Sequence, residues 1–93
     1  MKIEFDPAKS ERNARERGLP FELVWDFDWE TAEYEEDARF SYPERRVIAI
    51  GYLGERLHFI CFTMRGDVLR VISFRKASDK EIREYEKKKA THR

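Results

Sequence analysis

Cysteine is nearly absent from this chain: Cys61 stands alone, so neither a disulfide framework nor a cysteine zinc cluster is available. Histidine is almost as scarce, and His58 and His92 make no convincing metal site. No Gly-rich phosphate loop, HExxH or GxSxG occurs, which removes the commonest nucleotide-binding, metalloprotease and serine-hydrolase signatures. Long apolar runs are missing as well. The longest uncharged stretches of the basic half, Val47 to Gly54 and Leu57 to Met64, fall far short of the roughly 18 residues that a membrane span needs. The opening Met-Lys-Ile-Glu-Phe-Asp has no apolar signal core, so the expected compartment is the cytoplasm. Net charge is absent too. Nineteen basic residues balance 19 acidic ones, which argues against holding duplex DNA by bulk charge.

What remains is a single domain of 93 residues with enough apolar content, 41%, to build one core. Its charge is partitioned. From Glu22 to Asp37 there are eight acidic residues and no Lys or Arg, whereas Arg39 to Lys76 holds eight basic residues against three acidic ones. Such a molecule can steer an anion to one side and repel it from the other. Ordinary solvated surface charge is the plain alternative.

The pattern predicts an α+β domain. Lys2 to Phe5 reads as a short strand, after which Asp6-Pro7 opens a helix as N-cap and first helical residue. The helix runs to Arg17 and stops at Gly18. Pro20 starts a second, shorter helix, with Phe21, Val24 and Trp25 at helical spacing. The period then changes to two. Strands are expected at Thr31 to Glu35, Arg46 to Leu53, Leu57 to Met64 and Val68 to Arg75, the last three joined by tight turns at Gly54-Glu55 and Gly66-Asp67. They form a four-strand antiparallel meander with apolar residues on both faces. Ser78-Asp-Lys-Glu81 is a capping box that starts a final helix with Ile82 and Tyr85 turned inward. Cys61, among Phe59, Ile60 and Phe62, is expected to be a buried thiol.

Two-residue turns would place Leu53 opposite Arg56, Gly51 opposite His58, Arg65 opposite Val68 and His58 opposite Arg75. On that register Arg45, Ile60, Ser73 and Arg75 share a face with His58, and Arg46, Arg65 and Arg70 take the other. A slip of one residue would exchange the sets.

The strand Arg70-Val-Ile-Ser-Phe-Arg-Lys-Ala77 carries the most chemistry. Guanidinium forks and a hydroxyl on a rigid strand suit a phosphate diester, because arginine meets phosphate oxygens in pairs. RNA fits this inventory because its own 2′-OH is the nucleophile; the protein need only hold the phosphate, stabilise its charge and move protons. Glu44 or His58 is the candidate proton acceptor and Lys76 a candidate donor. Each has a bland counterpart: Glu44 as an ion pair with Arg45 or Arg46, His58 as a half-buried strand residue, Ser73 as a small packing residue and Arg65 as a solvated hairpin position.

Three segments resemble the BrnT toxins: Asp6-x-x-Lys9-x-x-x-Asn13; Arg39-x-x-Tyr42-x-Glu44-Arg45-Arg46; and Arg70-x-Ile72-Ser73-x-Arg75-Lys76-Ala77 followed by Glu81 and Tyr85. The resemblance covers nearly the whole chain. It implies a RelE-like fold and a metal-independent endoribonuclease without cofactors, acting as the toxin of a type II toxin–antitoxin pair. The implied partner is a BrnA-like ribbon-helix-helix antitoxin in a heterotetramer that touches operator DNA only through the antitoxin. Carried over residue by residue, the resemblance makes Glu44, Arg65, Ser73 and Arg75 catalytic candidates. Lys9 and Asn13 are first-helix positions of the motif, and with Arg17, Arg45, Arg70 and Lys76 they are the expected RNA contacts. One position departs. The family often has Lys-His-Gly where this chain has Glu16-Arg17-Gly18, and arginine holds a phosphate but does not exchange its proton. A catalytically weak member serving as the antitoxin's partner, and a small RNA-binding module without chemistry, are the competing readings.

Overall fold

Asp6 opens the first helix as its spacing requires: its carboxylate accepts from Ala8 N at 2.9 Å, and Pro7 fills the first helical position, where no N–H is needed. The computed structural model describes residues 1–91; His92 lies outside them. Its elements are β1 (Lys2–Glu4), α1 (Pro7–Arg17), a 3₁₀ turn (Phe21–Asp26), β2 (Glu33–Glu36), β3 (Val47–Leu53), β4 (Arg56–Arg65), β5 (Val68–Lys76) and α2 (Asp79–Thr91). The α+β class is as expected. The sheet is not the expected four-strand antiparallel meander: it has five strands in the order β1-β5-β4-β3-β2, with β1 parallel to β5. A three-residue strand at the N-terminus gives no sequence clue to its partner. It seats Ile3 against the core by pairing along Val68, Leu69 and Arg70.

The second helix is also corrected. Phe21–Asp26 is a 3₁₀ turn, whose three-residue period stacks Phe21 and Val24 on one side and turns Trp25 out, 52% exposed. The capping box forms in full: Glu81 N donates to Ser78 Oγ at 3.2 Å and Ser78 N to Glu81 Oε1 at 2.8 Å. Tyr85 is buried and Ile82 packs beside it, as the helical spacing requires.

Each face of the sheet has its own core. On one side Phe21, Val24, Ala49, Ile60, Phe62, Val71 and Phe74 pack together; on the other lie Ile48, Ile50, Phe59, Cys61 and Tyr85. Val71 and Phe74 share a face although they are three positions apart, which strict alternation forbids. A β-bulge reconciles this. Cys61 pairs with Ser73 but Phe62 pairs with Val71, so Ile72 has no partner of its own. The bulge shifts everything after it. The turns at Leu53↔Arg56 and Arg65↔Val68 are as expected, yet His58 faces Lys76 and not Arg75, and Arg75 faces Phe59.

Gly51 sits where Phe27 and Ala32 cross β3. A Cβ there would lie 2.7 Å from Phe27 Cζ and 2.9 Å from Ala32 Cβ. Both neighbours are buried, so Gly51→Ala should cost about 1–3 kcal/mol, the usual penalty of overpacking a filled core. Urea melts of the two proteins check this, and equal midpoints would show that the crossing gives way.

Candidate functional site

β1 covers β5 only as far as Arg70, and α1 takes over along the edge beyond. α1 has almost no apolar face, so hydrogen bonds dock it. Ser10 Oγ donates to Glu22 Oε1 and accepts from Phe21 N, each at 2.8 Å. Asn13 Nδ2 donates to Leu19 O at 2.7 Å and to Phe74 O at 2.9 Å. Where α1 meets the bulge, a crevice of about 190 Å³ opens between Lys9, Arg12, Asn13, Glu16 and Arg17 on the helix and Ile72 and Ser73 on the strand. Three cations face one carboxylate. Arg12 and Glu16 are loosely associated at 4.0 Å and well exposed, so solvent screens that contact. Arg17 is held more firmly, its Nη1 donating to Asn13 Oδ1 at 3.0 Å and to Phe74 O at 3.3 Å.

Four of the residues expected from sequence therefore meet here: Lys9, Asn13, Arg17 and Ser73. Asn13 arrives already committed, with both amide protons donated to backbone carbonyls. Sequence reasoning missed Arg12 and Glu16. Their signal was present, because positions 9, 12, 13, 16 and 17 form one stripe at helical spacing.

The remaining candidates lie elsewhere. Arg75 is on the α2 side of the sheet, with its guanidinium 3.9 Å above the Phe59 ring and paired twice to Glu81 at 2.9 Å. Because Glu81 also closes the capping box, this pair clasps the start of α2 to β5. Burial would raise the Glu81 carboxyl, but hydrogen bonds from Arg75 and Ser78 hold it below its ordinary value. Arg65 ends β4 opposite Val68 and is exposed. The bulge puts it on the same face as Arg75, correcting the expected split. The two are still six residues apart along the sheet, about 20 Å, so they do not converge. Glu44 pairs with Arg46 at 3.1 Å, Arg45 with Glu36 at 3.1 Å and Arg70 with Glu4 at 3.5 Å. Lys76 is exposed beside His58.

His58 is corrected in both position and state. It faces the α1 side, away from Ser73 and Arg75, buried against Phe74. Burial lowers its pKa, and Nδ1 lies 2.8 Å from Arg56 O, so the neutral ring donates to that carbonyl. Cys61 is buried as expected; burial, with Asp37 beside it, raises the thiol.

The other charged cluster on the α2 side surrounds Asp37. Arg39 Nε and Nη2 donate to its two oxygens at 2.8 and 2.9 Å, and this holds the carboxyl well below the usual carboxylate range. Asp37 and Glu81 are thus both depressed in the folded chain. Such groups contribute stability that is fully present above the unfolded carboxylate value, about 4, and is lost as pH falls toward the folded value. The melting temperature should be level from neutral pH to about 4 and fall below it. Asp37→Asn should flatten part of that fall. Parallel curves for the two proteins would remove Asp37 as a source.

Among the described residues no three side chains of metal-binding type cluster, and no helix is long and apolar enough to cross a membrane. No curated protein matches the chain. A family model does: the one described as "Ribonuclease toxin, BrnT, of type II toxin-antitoxin system" matches residues 5–81, most of its length.

Proposed function

The chain belongs to the BrnT family of ribonuclease toxins of type II toxin–antitoxin systems, and from that premise we propose that it is a metal-independent endoribonuclease whose active site is the crevice between α1 and β5. The observation that carries this reading is the concentration of Lys9, Arg12 and Arg17 around Ser73 in a space of about 190 Å³. Three cations at one concave point match a phosphate diester. In the reaction the ribose 2′ oxygen attacks phosphorus and its proton passes to the carboxylate of Glu16. The bond from phosphorus to the 5′ oxygen breaks, and Lys9 protonates the departing oxygen. A 2′,3′-cyclic phosphate and a 5′-hydroxyl result. Arg12 and Arg17 offset the charge that builds on the phosphoryl oxygens. Glu16 supplies the exchangeable proton site that a histidine at position 17 would otherwise provide.

A second reading has its own support. Arg17 is fixed to Asn13 and Phe74 and keeps its proton, which favours a catalytically weak member whose main role is to complete a repressor complex. Purified protein incubated with labelled RNA in EDTA separates the two. Cleavage to cyclic-phosphate ends supports the nuclease; intact RNA at high enzyme concentration defeats it. In a bacterial cytoplasm, expression should halt growth and lower translation. A BrnA-like ribbon-helix-helix antitoxin should restore growth and form a two-plus-two assembly, since its dimer carries one toxin chain on each half. A complex that still cuts RNA at full rate would overturn that arrangement.

A further inference from the structure

The loop of residues 37–46 is built as a rigid frame with an aromatic ring at its mouth. Asp37 N donates to Arg46 O at 2.8 Å and closes its base, and Thr63 Oγ1 donates to Arg45 O at 2.7 Å. The frame encloses a hollow of about 330 Å³. Its charges cancel, because Arg39, Arg45 and Arg46 are paired with Asp37, Glu36 and Glu44. Tyr42 lies under the Arg46 guanidinium at 3.9 Å. Phe40 meets Tyr42 edge to face at 5.9 Å and is otherwise open, 71% exposed. Singly exposed apolar residues are ordinary. This one borders a preformed, electrically neutral hollow, and that combination suits a flat, uncharged ring with polar edges. A nucleobase is such a group, and single-stranded RNA is held by stacking of splayed bases on aromatic side chains.

Ser73 of the crevice pairs directly with Cys61, whose sulfur is 3.7 Å from Asp37 Oδ2. The loop itself joins β2 to β3, with β4 between them and β5, so an RNA strand that reaches both the hollow and the crevice must span several nucleotides. Arg45 is paired with Glu36 at 3.1 Å, and because both are well exposed a flanking phosphate would compete with that carboxylate for it.

We infer that the 37–46 loop is a nucleobase subsite: a base some nucleotides along the strand from the phosphate in the crevice leaves its stack and lies on Phe40, so the substrate is single-stranded RNA. The inference rests on the RNA reading of the crevice but not on cleavage itself. The test is binding of a short single-stranded oligonucleotide made uncleavable by 2′-O-methyl groups, measured by fluorescence anisotropy. Phe40→Ala should weaken binding by about 10-fold or more, the range of one lost base stack, and Phe40→Trp should retain it. Moving an abasic site along the strand should find one position that costs the wild type a similar factor and costs Phe40→Ala nothing further. The same sequence as a duplex should bind less well. Equal binding by wild type and Phe40→Ala, or abasic losses that are the same in both at every position, would overturn the subsite. So would a Phe40→Ala protein that loses only its antitoxin. RNA binding that depends on Phe40 without any cleavage would defeat the nuclease reading and leave the subsite standing. Cleavage with binding indifferent to Phe40 would do the reverse.

Discussion

Glu16→Gln is expected to lower RNA cleavage by about 10²–10⁴-fold, the usual contribution of a positioned proton acceptor, while the domain melts as before. Glu16 is exposed on α1 and its contact with Arg12 is long, so little stability depends on it. Glutamine keeps the size and the hydrogen bonding but cannot take the 2′ proton. Lys9→Ala should cost about 10²–10³-fold, since it removes both a charge aimed at the phosphate and the donor to the leaving oxygen. The two losses should not add, because both groups act in one step. Single-turnover cleavage of a labelled oligonucleotide is the measurement. A Glu16→Gln protein at full rate would move the proton acceptor out of the crevice, with Glu44 the next carboxylate to test. Lys9→Ala at full rate would remove the crevice from the reaction altogether.

The elements that could be read from sequence are those whose signals are local. A capping aspartate with proline marks the start of α1, a serine–glutamate box marks α2, and turn residues between alternating runs mark β3, β4 and β5. The topology of β1 could not be read, because three residues carry no record of which distant edge they join. The bulge was hidden for a related reason. Ile72 looks like any alternating strand residue, and only the need of both Val71 and Phe74 for one core displaces it. That single extra residue is why His58 and Arg75 fell on one face on paper and lie on opposite faces in the fold. The crevice was half legible. Lys9, Asn13, Arg17 and Ser73 are drawn together by the docking of a helix onto a sheet edge. Arg45, Arg70 and Arg75 are drawn away by carboxylates that happen to lie near. Charge partition along the chain does not reveal which of those pairs will form.

Asn13→Ala is the substitution expected to affect the fold most among the crevice residues. α1 lacks the apolar stripe that usually docks a helix, and Asn13 supplies hydrogen bonds in its place. Truncation leaves Leu19 O without its partner and Phe74 O with only the longer bond from Arg17. Stranding buried acceptors in this way should cost about 2–3 kcal/mol. In a domain of this size that is a drop of roughly 10–20 °C in melting temperature. Asn13 Oδ1 also accepts from Arg17, so the variant frees that guanidinium from its anchor. Cleavage should therefore fall even well below the melting transition, through looser phosphate binding. Asn13→Asp is a sharper test, since a carboxylate would face two carbonyl oxygens with no proton to give; it should be less stable still. If Asn13→Ala melts within a degree or two of the wild type and cuts normally, α1 is docked by Ser10 and the turn at Gly18 alone. The asparagine would then be neither a needed RNA contact nor the bolt that sets the width of the crevice.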